Sequence, residues 1–239
     1  MQNLQEITQT TNLPPPNFST AEETQKKSLL ELVENLPQSC VLTLYEKTWE
    51  DYEKLLEEVG EASWLRIWFN EGVLQIMTLS VEHENYSAIL HTLTTHLSFA
   101  KKIKVLSYRS ATIKIDKKSK GAEPDNCFYI KSADKLPNKI VINFGVDPMP
   151  DVVVEIDIHH QSKYKFPIYA DFGVSEIWRY DGKKFEIYEL QADKTYLEIE
   201  RSKALPLLTS EILADFLGNS REKDQYEILL AFDEWLEKQ

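Results

Sequence analysis

Apolar residues spaced three and four apart predict several amphipathic helices in this chain. The spacing covers about residues 22–35, 48–59 and 81–100, and two closing helices are expected at about 209–217 and 220–237. Thr48 and Ser80 stand where the second and third helices should begin, and both residue types are good N-caps. A further short helix should begin near residues 163–165, because Pro167 is tolerated only in a first turn, and should end at Gly173.

Short apolar runs between turn residues predict strands. The run SWLRIWFNEGVLQIM predicts a β-hairpin that turns at Gly72, and Asp181 with Gly182 predicts a second hairpin with a type I′ turn. Further strands are expected at about 103–108, 111–116, 126–130, 151–158 and 195–200. This mixture of strands and helices predicts an α/β fold in which helices flank a mixed β-sheet.

The expected strand at 151–158 carries carboxylates among apolar residues. Glu155 interrupts a run of valines and isoleucine, and Asp157 follows two positions later on the same face. An ionised glutamate in a low-dielectric core is unfavourable unless it meets a cation, a metal or a strong hydrogen-bond donor. Metal binding is the sharpest explanation of these two residues.

Length and composition predict one soluble domain. The chain has 239 residues, of which 42% are hydrophobic, and we expect a single domain over 21–239, with helical additions at its ends, after a flexible arm at 1–20. No apolar run is as long as a bilayer span requires, and the first residues lack the pattern of a secretory signal. We therefore expect a cytoplasmic protein with no membrane partner. Cys40 and Cys127 are expected to be reduced thiols without a catalytic role.

The net charge of −12 argues against a protein whose whole surface holds nucleic acid. A local basic groove is still open, since much of the positive charge falls between residues 101 and 120. The alternative is a solvated surface, which is the commoner origin of such charge runs.

The motifs EPDNCFYI, PDVVVEIDI and KFPIYADFGVSEIWRYDG resemble the Uma2 family of restriction endonucleases, and their order is similar to the PD-(D/E)XK nuclease core. The likeness covers roughly residues 40–235, and its most specific part runs from Lys165 to Trp178. It implies a restriction-endonuclease-like core and an endonuclease that hydrolyses phosphodiester bonds in DNA. It also implies Mg²⁺ as the cofactor, with Mn²⁺ as a substitute.

The resemblance implies a role for each of four residues. Asp125 and Glu155 would hold the metal, and Lys165 would supply a cation near the attacking water or the scissile phosphate. Two carboxylates suit Mg²⁺, which prefers oxygen ligands and keeps several waters. Asp157 stands where the parent signature has lysine, so it is expected to be a second ligand or to pair with a lysine; Lys163 is the alternative amine.

A third metal contact is expected from the helix at 81–100. Glu84 resembles the helix carboxylate that many such nucleases add to the metal site, and His83 is its neighbour. Adjacent helical residues point about 100° apart, so only one of the two can face the site. The resemblance favours Glu84.

A non-catalytic interpretation of these residues also stays open. Glu155 and Lys165 could form a buried structural ion pair, and the chain would then be a non-catalytic fold that binds a protein or nucleic-acid partner. The acidic net charge and Asp157 favour this alternative. A homodimer suits either reading, since two symmetric sites can act on both strands of DNA. Tyr169 and Trp178 are expected to be core aromatics.

Overall fold

The computed structural model describes residues 5–9, 29–60, 64–136 and 139–239. Two compact units are present: Met1–Ser80 with Lys114–Glu123, and Val81–Ile113 with Pro124–Gln239. The single domain expected over 21–239 stays a prediction. Most of the expected arm at 1–20 lies outside the described residues, apart from the strand at Gln5–Gln9. Among the described residues, no helix has both the length and the apolar character that crossing a membrane requires.

The first unit is built on a six-stranded sheet in the order β1-β2-β4-β3-β7-β6. Its strands are β1 (Gln5–Gln9), β2 (Cys40–Leu44), β3 (Leu65–Asn70), β4 (Val73–Thr78), β6 (Ile113–Ile115) and β7 (Lys120–Ala122). Helices α1 (Leu29–Glu34) and α2 (Trp49–Val59) share an apolar core with this sheet. Thr48 caps α2 as expected, because its side chain accepts from the Asp51 N–H and the Asp51 carboxylate accepts from the Thr48 N–H.

The second unit has a mixed sheet in the order β12-β11-β10-β9-β8-β5. Its strands are β5 (Leu106–Ser107), β8 (Asn126–Tyr129), β9 (Val152–Ile156), β10 (Glu176–Tyr180), β11 (Phe185–Leu190) and β12 (Tyr196–Ile199). Its helices are α3 (Val81–Lys101), α4 (Phe166–Phe172), α5 (Ser210–Gly218) and α6 (Gln225–Glu237). Strands β9 and β10 are parallel, and β8 lies antiparallel to β9. The predicted α/β class with a mixed sheet is therefore confirmed.

The core of the second unit explains why β9 is so apolar. Val152, Val154 and Ile156 are buried together with Trp178 of β10 and the inner face of α3. Parallel strands that are covered on both faces are nearly continuous in hydrophobic residues. A carboxylate within β9 is therefore inside the protein, as the sequence indicated.

The turn between β10 and β11 differs from its prediction. The type I′ turn is wrong, because among its residues only Gly182 has a positive φ, 88°. The Asp181 carboxylate accepts hydrogen bonds from the N–H groups of Lys183 and Lys184, at 2.9 and 2.7 Å. This side-chain cap moves the tightest part of the turn one residue along the chain.

Candidate active site

The pairing of β8 with β9 brings Asp125 beside Glu155. The register of β8 and β9 pairs Asn126, the first residue of β8, with Val154. Asp125 directly precedes β8, and its N–H donates to the carbonyl oxygen of Val154 at 2.9 Å. The Asp125 carboxylate accepts from the N–H of Ile156, the residue after Glu155, so the Asp125 side chain lies along this end of β9.

The Asp125 carboxylate is held by the backbone of β9 and by α3. Its Oδ2 accepts from the Ile156 N–H at 2.7 Å, and the His83 Nε2 lies 3.0 Å from the same oxygen. Asp125 is 1% exposed and His83 is 4% exposed. A carboxylate buried to this degree requires such polar contacts.

The Glu155 carboxylate receives one donor on each oxygen. Lys165 Nζ donates to Oε2 at 2.8 Å, and the Tyr169 hydroxyl donates to Oε1 at 2.5 Å. Glu155 and Lys165 are each 1% exposed. Lys165 ends a 3₁₀ turn at Lys163–Lys165, and α4 continues directly from it. Residues four apart lie on one helical face, so Lys165 and Tyr169 reach the same carboxylate.

Burial dominates the electrostatics of this cluster. It raises the pKa of Glu155, while the Lys165 ammonium opposes the shift and the neighbouring Asp125 and Asp157 add to it. Burial and then the Glu155 charge raise the pKa of Tyr169 well above its usual value, so its hydroxyl stays protonated and donates. Acidic groups packed this closely favour the addition of positive charge.

Asp157 makes its contacts away from the Asp125–Glu155 pair. Its Oδ2 accepts from the Ser162 N–H at 2.8 Å and the Ser162 hydroxyl at 3.0 Å, and it forms an ion pair with Arg179 of β10. Burial raises the pKa of Asp157, and the Ser162 and Arg179 contacts oppose that shift. The sequence left open a second metal ligand or a lysine partner; the ion-pair partner of Asp157 is an arginine. Asp157 therefore fixes the turn that leads to Lys165.

The helix α3 presents His83 to Asp125, and Glu84 lies on the outer side of that imidazole. Glu84 Oε1 is 3.4 Å from His83 Nδ1, and the Glu84 side chain is 46% exposed. The His83 imidazole thus lies between the carboxylates of Asp125 and Glu84. The structure brings Asp125, Glu155 and Lys165 together as expected. The helix residue that contacts Asp125 is His83, whereas the resemblance favoured its neighbour Glu84.

A family model now identifies the chain's relatives. The model of Uma2, described as "Putative restriction endonuclease", matches residues 49–221. The chain belongs to the Uma2 family. The matched range contains every residue of the candidate site. No curated protein matches the chain.

Two solved structures are similar to this Uma2 chain. One is a "putative nuclease belonging to DUF820" from Anabaena variabilis, with a TM-score of 0.50 and 15% identity over 72% of this chain and 99% of that chain. The other is the type IIG restriction endonuclease BpuSI, with a TM-score of 0.34 and 10% identity. That match covers 58% of this chain and 16% of the BpuSI chain. The first supports the fold, and the predicted nuclease-like core is confirmed on that basis.

The donor set of this Uma2 site fits a divalent metal. Asp125 and Glu155 offer adjacent carboxylate oxygens, and each such oxygen can accept more than one contact. Within the described ranges, no three His, Cys, Asp or Glu side chains gather into a metal-binding group. Mg²⁺ is commonly held by one or two carboxylates with waters completing its shell, so two acids are sufficient.

The basic window of the Uma2 chain belongs to both units, which divide at Lys114. Within the second unit, Lys104 lies 2.8 Å from Asp134. Within the first unit, Lys114 lies 2.6 Å from Glu53. These ion pairs favour the solvated-surface interpretation over a DNA groove.

Two site residues were not assigned from the sequence. Tyr169 was expected to be a core aromatic; it is fully buried, but its hydroxyl also contacts Glu155. Its position four residues after Lys165 is the signal that could have found it. His83 was considered and passed over for Glu84, and no sequence pattern separates the two.

Proposed function

We propose that this chain is a divalent-metal-dependent endonuclease that hydrolyses phosphodiester bonds in DNA. The observation that carries the proposal is the buried cluster of Asp125, Glu155 and Lys165. Asp125 directly precedes β8, Glu155 lies in β9, and Lys165 directly precedes α4. Membership of the Uma2 family, described as restriction endonucleases, supports the same reaction class.

Each residue of the cluster has a distinct task in this proposal. Asp125 and Glu155 would hold Mg²⁺, with Mn²⁺ as a substitute, and the bound ion would supply an activated water and stabilise charge on the phosphate. Lys165 places an ammonium beside the carboxylates, where it can stabilise the negative charge that develops on phosphate oxygens. Tyr169 holds the Glu155 carboxylate in place through its hydroxyl.

Asp157 has a supporting role in the proposal. Its contacts with Ser162 and Arg179 fix the segment between β9 and the turn that carries Lys165. Asp157 therefore acts through the position of Lys165. The role of Glu84 is likewise indirect, since it contacts His83. A homodimer would supply two such sites to the two strands of a duplex.

The test uses Asp125→Asn with Asp151→Asn as its matched control. Asp151 is also a buried aspartate of the second unit, and its Oδ2 accepts from the Ile130 N–H and from Ser132. We expect the wild type to cut duplex DNA with Mg²⁺ or Mn²⁺ and to stop on chelation. Asp125→Asn should lower the cleavage rate by about 10³-fold, which corresponds to several kcal/mol of lost stabilisation. Asp151→Asn should retain both cleavage and the Mn²⁺ heat seen by titration calorimetry.

A second candidate function has one observation in its favour. Both Glu155 oxygens already accept a hydrogen bond, from Lys165 and from Tyr169, as expected of a purely structural ion pair. A wild type that shows neither a Mn²⁺ heat nor cleavage of DNA would support this non-catalytic binding module. Cleavage confined to single-stranded or duplex RNA would contradict the choice of DNA alone.

A further inference from the structure

One buried side chain at the site has no task in the proposed reaction. His83 lies in the first turn of α3, and its Nε2 is 3.0 Å from Asp125 Oδ2. Histidine is intermediate among residue types in its tendency to be buried, and the exposed fraction of His83 is only 4%. Its burial against a carboxylate calls for a specific role.

The contact of His83 falls on the same oxygen that the backbone holds. Asp125 Oδ2 accepts from the Ile156 N–H at 2.7 Å, and His83 approaches that oxygen from α3. Two contacts on one oxygen restrain the position of that oxygen and so limit how the carboxylate can turn.

The helix beneath His83 is itself fixed to the same segment of chain. Ser87 lies one turn further along α3, and its hydroxyl donates to the Asp125 carbonyl oxygen at 3.2 Å. The Asn126 side-chain amide donates to the Ser87 hydroxyl at 3.1 Å and to its carbonyl at 3.2 Å. His83 and Ser87 share one helical face, so α3 presents the imidazole at a set distance from Asp125.

We propose that His83 is the positioning residue of Asp125: its imidazole, with Nε2 at 3.0 Å from Oδ2, orients the carboxylate for a divalent metal. The inference rests on the proposed function only for the metal. Groups that orient metal ligands in this way are common in metal sites, and their loss typically costs 10-fold to 100-fold in metal affinity. Glu84, on the far side of the ring, orients the imidazole in turn.

The test compares two amides that differ by one methylene. In His83→Gln the amide nitrogen can occupy about the place of Nε2, whereas in His83→Asn the side chain is too short to reach Asp125. His91→Asn is the control, because His91 lies on the same helix and stacks on Phe128 with ring centroids 6.2 Å apart. The measurements are Mn²⁺ affinity by calorimetry, the thermal transition, and amide exchange of Ile156 in metal-free protein.

We expect His83→Asn to weaken Mn²⁺ binding by about 10–100-fold and to accelerate exchange of the Ile156 amide. His83→Gln and His91→Asn should both stay within about threefold of the wild-type affinity. The thermal transitions of the two His83 variants should be similar, so that a purely structural effect would not separate them.

Equal Mn²⁺ affinities and equal Ile156 exchange in the two His83 variants would overturn the inference. A glutamine variant as weak as the asparagine variant would also overturn it, since donation from the Nε2 position would then be insufficient. If the wild type binds no Mn²⁺, the proposed function fails. The exchange rate of Ile156 then decides the role of His83 separately, because that amide donates to Asp125 without any metal.

Discussion

The parallel strands β9 and β10 carry one buried glutamate each, at opposite ends of the pair. Glu155 lies near the end of β9, and Glu176 is the first residue of β10; each is 1% exposed. We refer to the group of Asp125, Glu155 and Asp157 as the Glu155 end, and to Asp151 with Glu176 as the Glu176 end. Both ends thus hold buried carboxylates on the same sheet.

The Glu176 end is balanced by uncharged donors. Glu176 accepts from the Trp178 indole at 3.0 Å, the Ser202 hydroxyl at 2.8 Å and the Ala204 N–H at 2.6 Å. Three directed dipoles can stabilise one carboxylate in the interior. These contacts tie the chain after β12 to the start of β10, which is a structural role.

The Glu155 end has more acid and fewer neutral donors. Glu155 depends on the Lys165 ammonium and the Tyr169 hydroxyl, and Asp125 and Asp157 raise its pKa further after burial has done so. A site of this kind gains from a further cation. The comparison teaches that burial of a carboxylate is not itself a reason to propose chemistry, and that the crowding of carboxylates around an amine distinguishes the Glu155 end.

The largest expected effect is the difference between neutralising Glu155 and neutralising Glu176 in two separate variants. If the proposed function holds, Glu155→Gln should lower DNA cleavage by about 10³-fold and abolish the Mn²⁺ heat, because a proposed metal ligand is lost. Glu176→Gln should leave the cleavage rate and the Mn²⁺ affinity within about threefold of wild type, since the partners of Glu176 are uncharged hydrogen-bond donors of the protein. The measurements are cleavage rates and calorimetric titration at equal fraction folded. Loss of cleavage in both variants would remove the distinction between the two ends.

The next effect is on stability. Lys165→Met leaves Glu155 without its cation, and breaking a buried ion pair from one side typically costs about 3–5 kcal/mol. Lys203, which lies exposed at the Glu176 end, supplies the control: Lys203→Met should change the free energy of unfolding by less than about 0.5 kcal/mol. Urea denaturation measures both. Similar small losses would show that the Glu155 end does not depend on its amine.

The sequence predicted the elements of this site better than their contacts. The strand around Glu155 follows from its apolar run, and the place of Lys165 follows from Pro167 and the resemblance to Uma2. The approach of Asp125 to Glu155 depends on the pairing of β8 with β9. That pairing cannot be read from the sequence pattern alone, but the resemblance to the nuclease core implies it. Such long-range pairing is set by the packing of both faces of the sheet.

The choice between His83 and Glu84 could not be made from the sequence. The two residues differ by about 100° in helical phase, and which of them faces the site depends on how α3 is rotated about its axis. Packing of the helix determines that rotation through residues such as Tyr86, Leu90 and Leu93, which are buried against the sheet. Tyr169 was similarly ambiguous, because a buried tyrosine serves the core with its ring and a polar partner with its hydroxyl.

Tyr169→Phe tests the neutral donor of the Glu155 end. The loss of a hydrogen bond to a charged group should cost about 1.5–3 kcal/mol in the free energy of unfolding. Ser202→Ala removes one donor from Glu176 and should cost a similar amount. The two variants should differ in Mn²⁺ affinity, which falls by about 10–100-fold only for Tyr169→Phe. An equal affinity in both would mean that Tyr169 supports the fold alone.

The smallest expected effect lies in the outer layer of the Glu155 end, where Arg179 joins Asp157 to Glu186. Burial alone would raise the pKa of Glu186, but hydrogen bonds from Arg179 and Lys184 outweigh it and lower that pKa. A carboxyl with a lowered folded pKa stabilises the protein above its unfolded pKa, and this contribution is lost as the pH falls through the folded value.

Glu186→Gln should therefore reduce stability by about 0.5–1 kcal/mol near pH 7, because Arg179 is buried with Glu186 but keeps its ion pair with Asp157. The gap between variant and wild type should close as the pH falls through the lowered folded pKa of Glu186, where the wild-type carboxyl becomes protonated as well. Glu198→Gln is the control, because Glu198 meets Lys184 at 2.7 Å but is half exposed. Urea denaturation at a series of pH values measures the gap. A gap that widens in acid would mean that the pKa of Glu186 is raised in the folded state, which would contradict the stabilising role of Arg179 and Lys184.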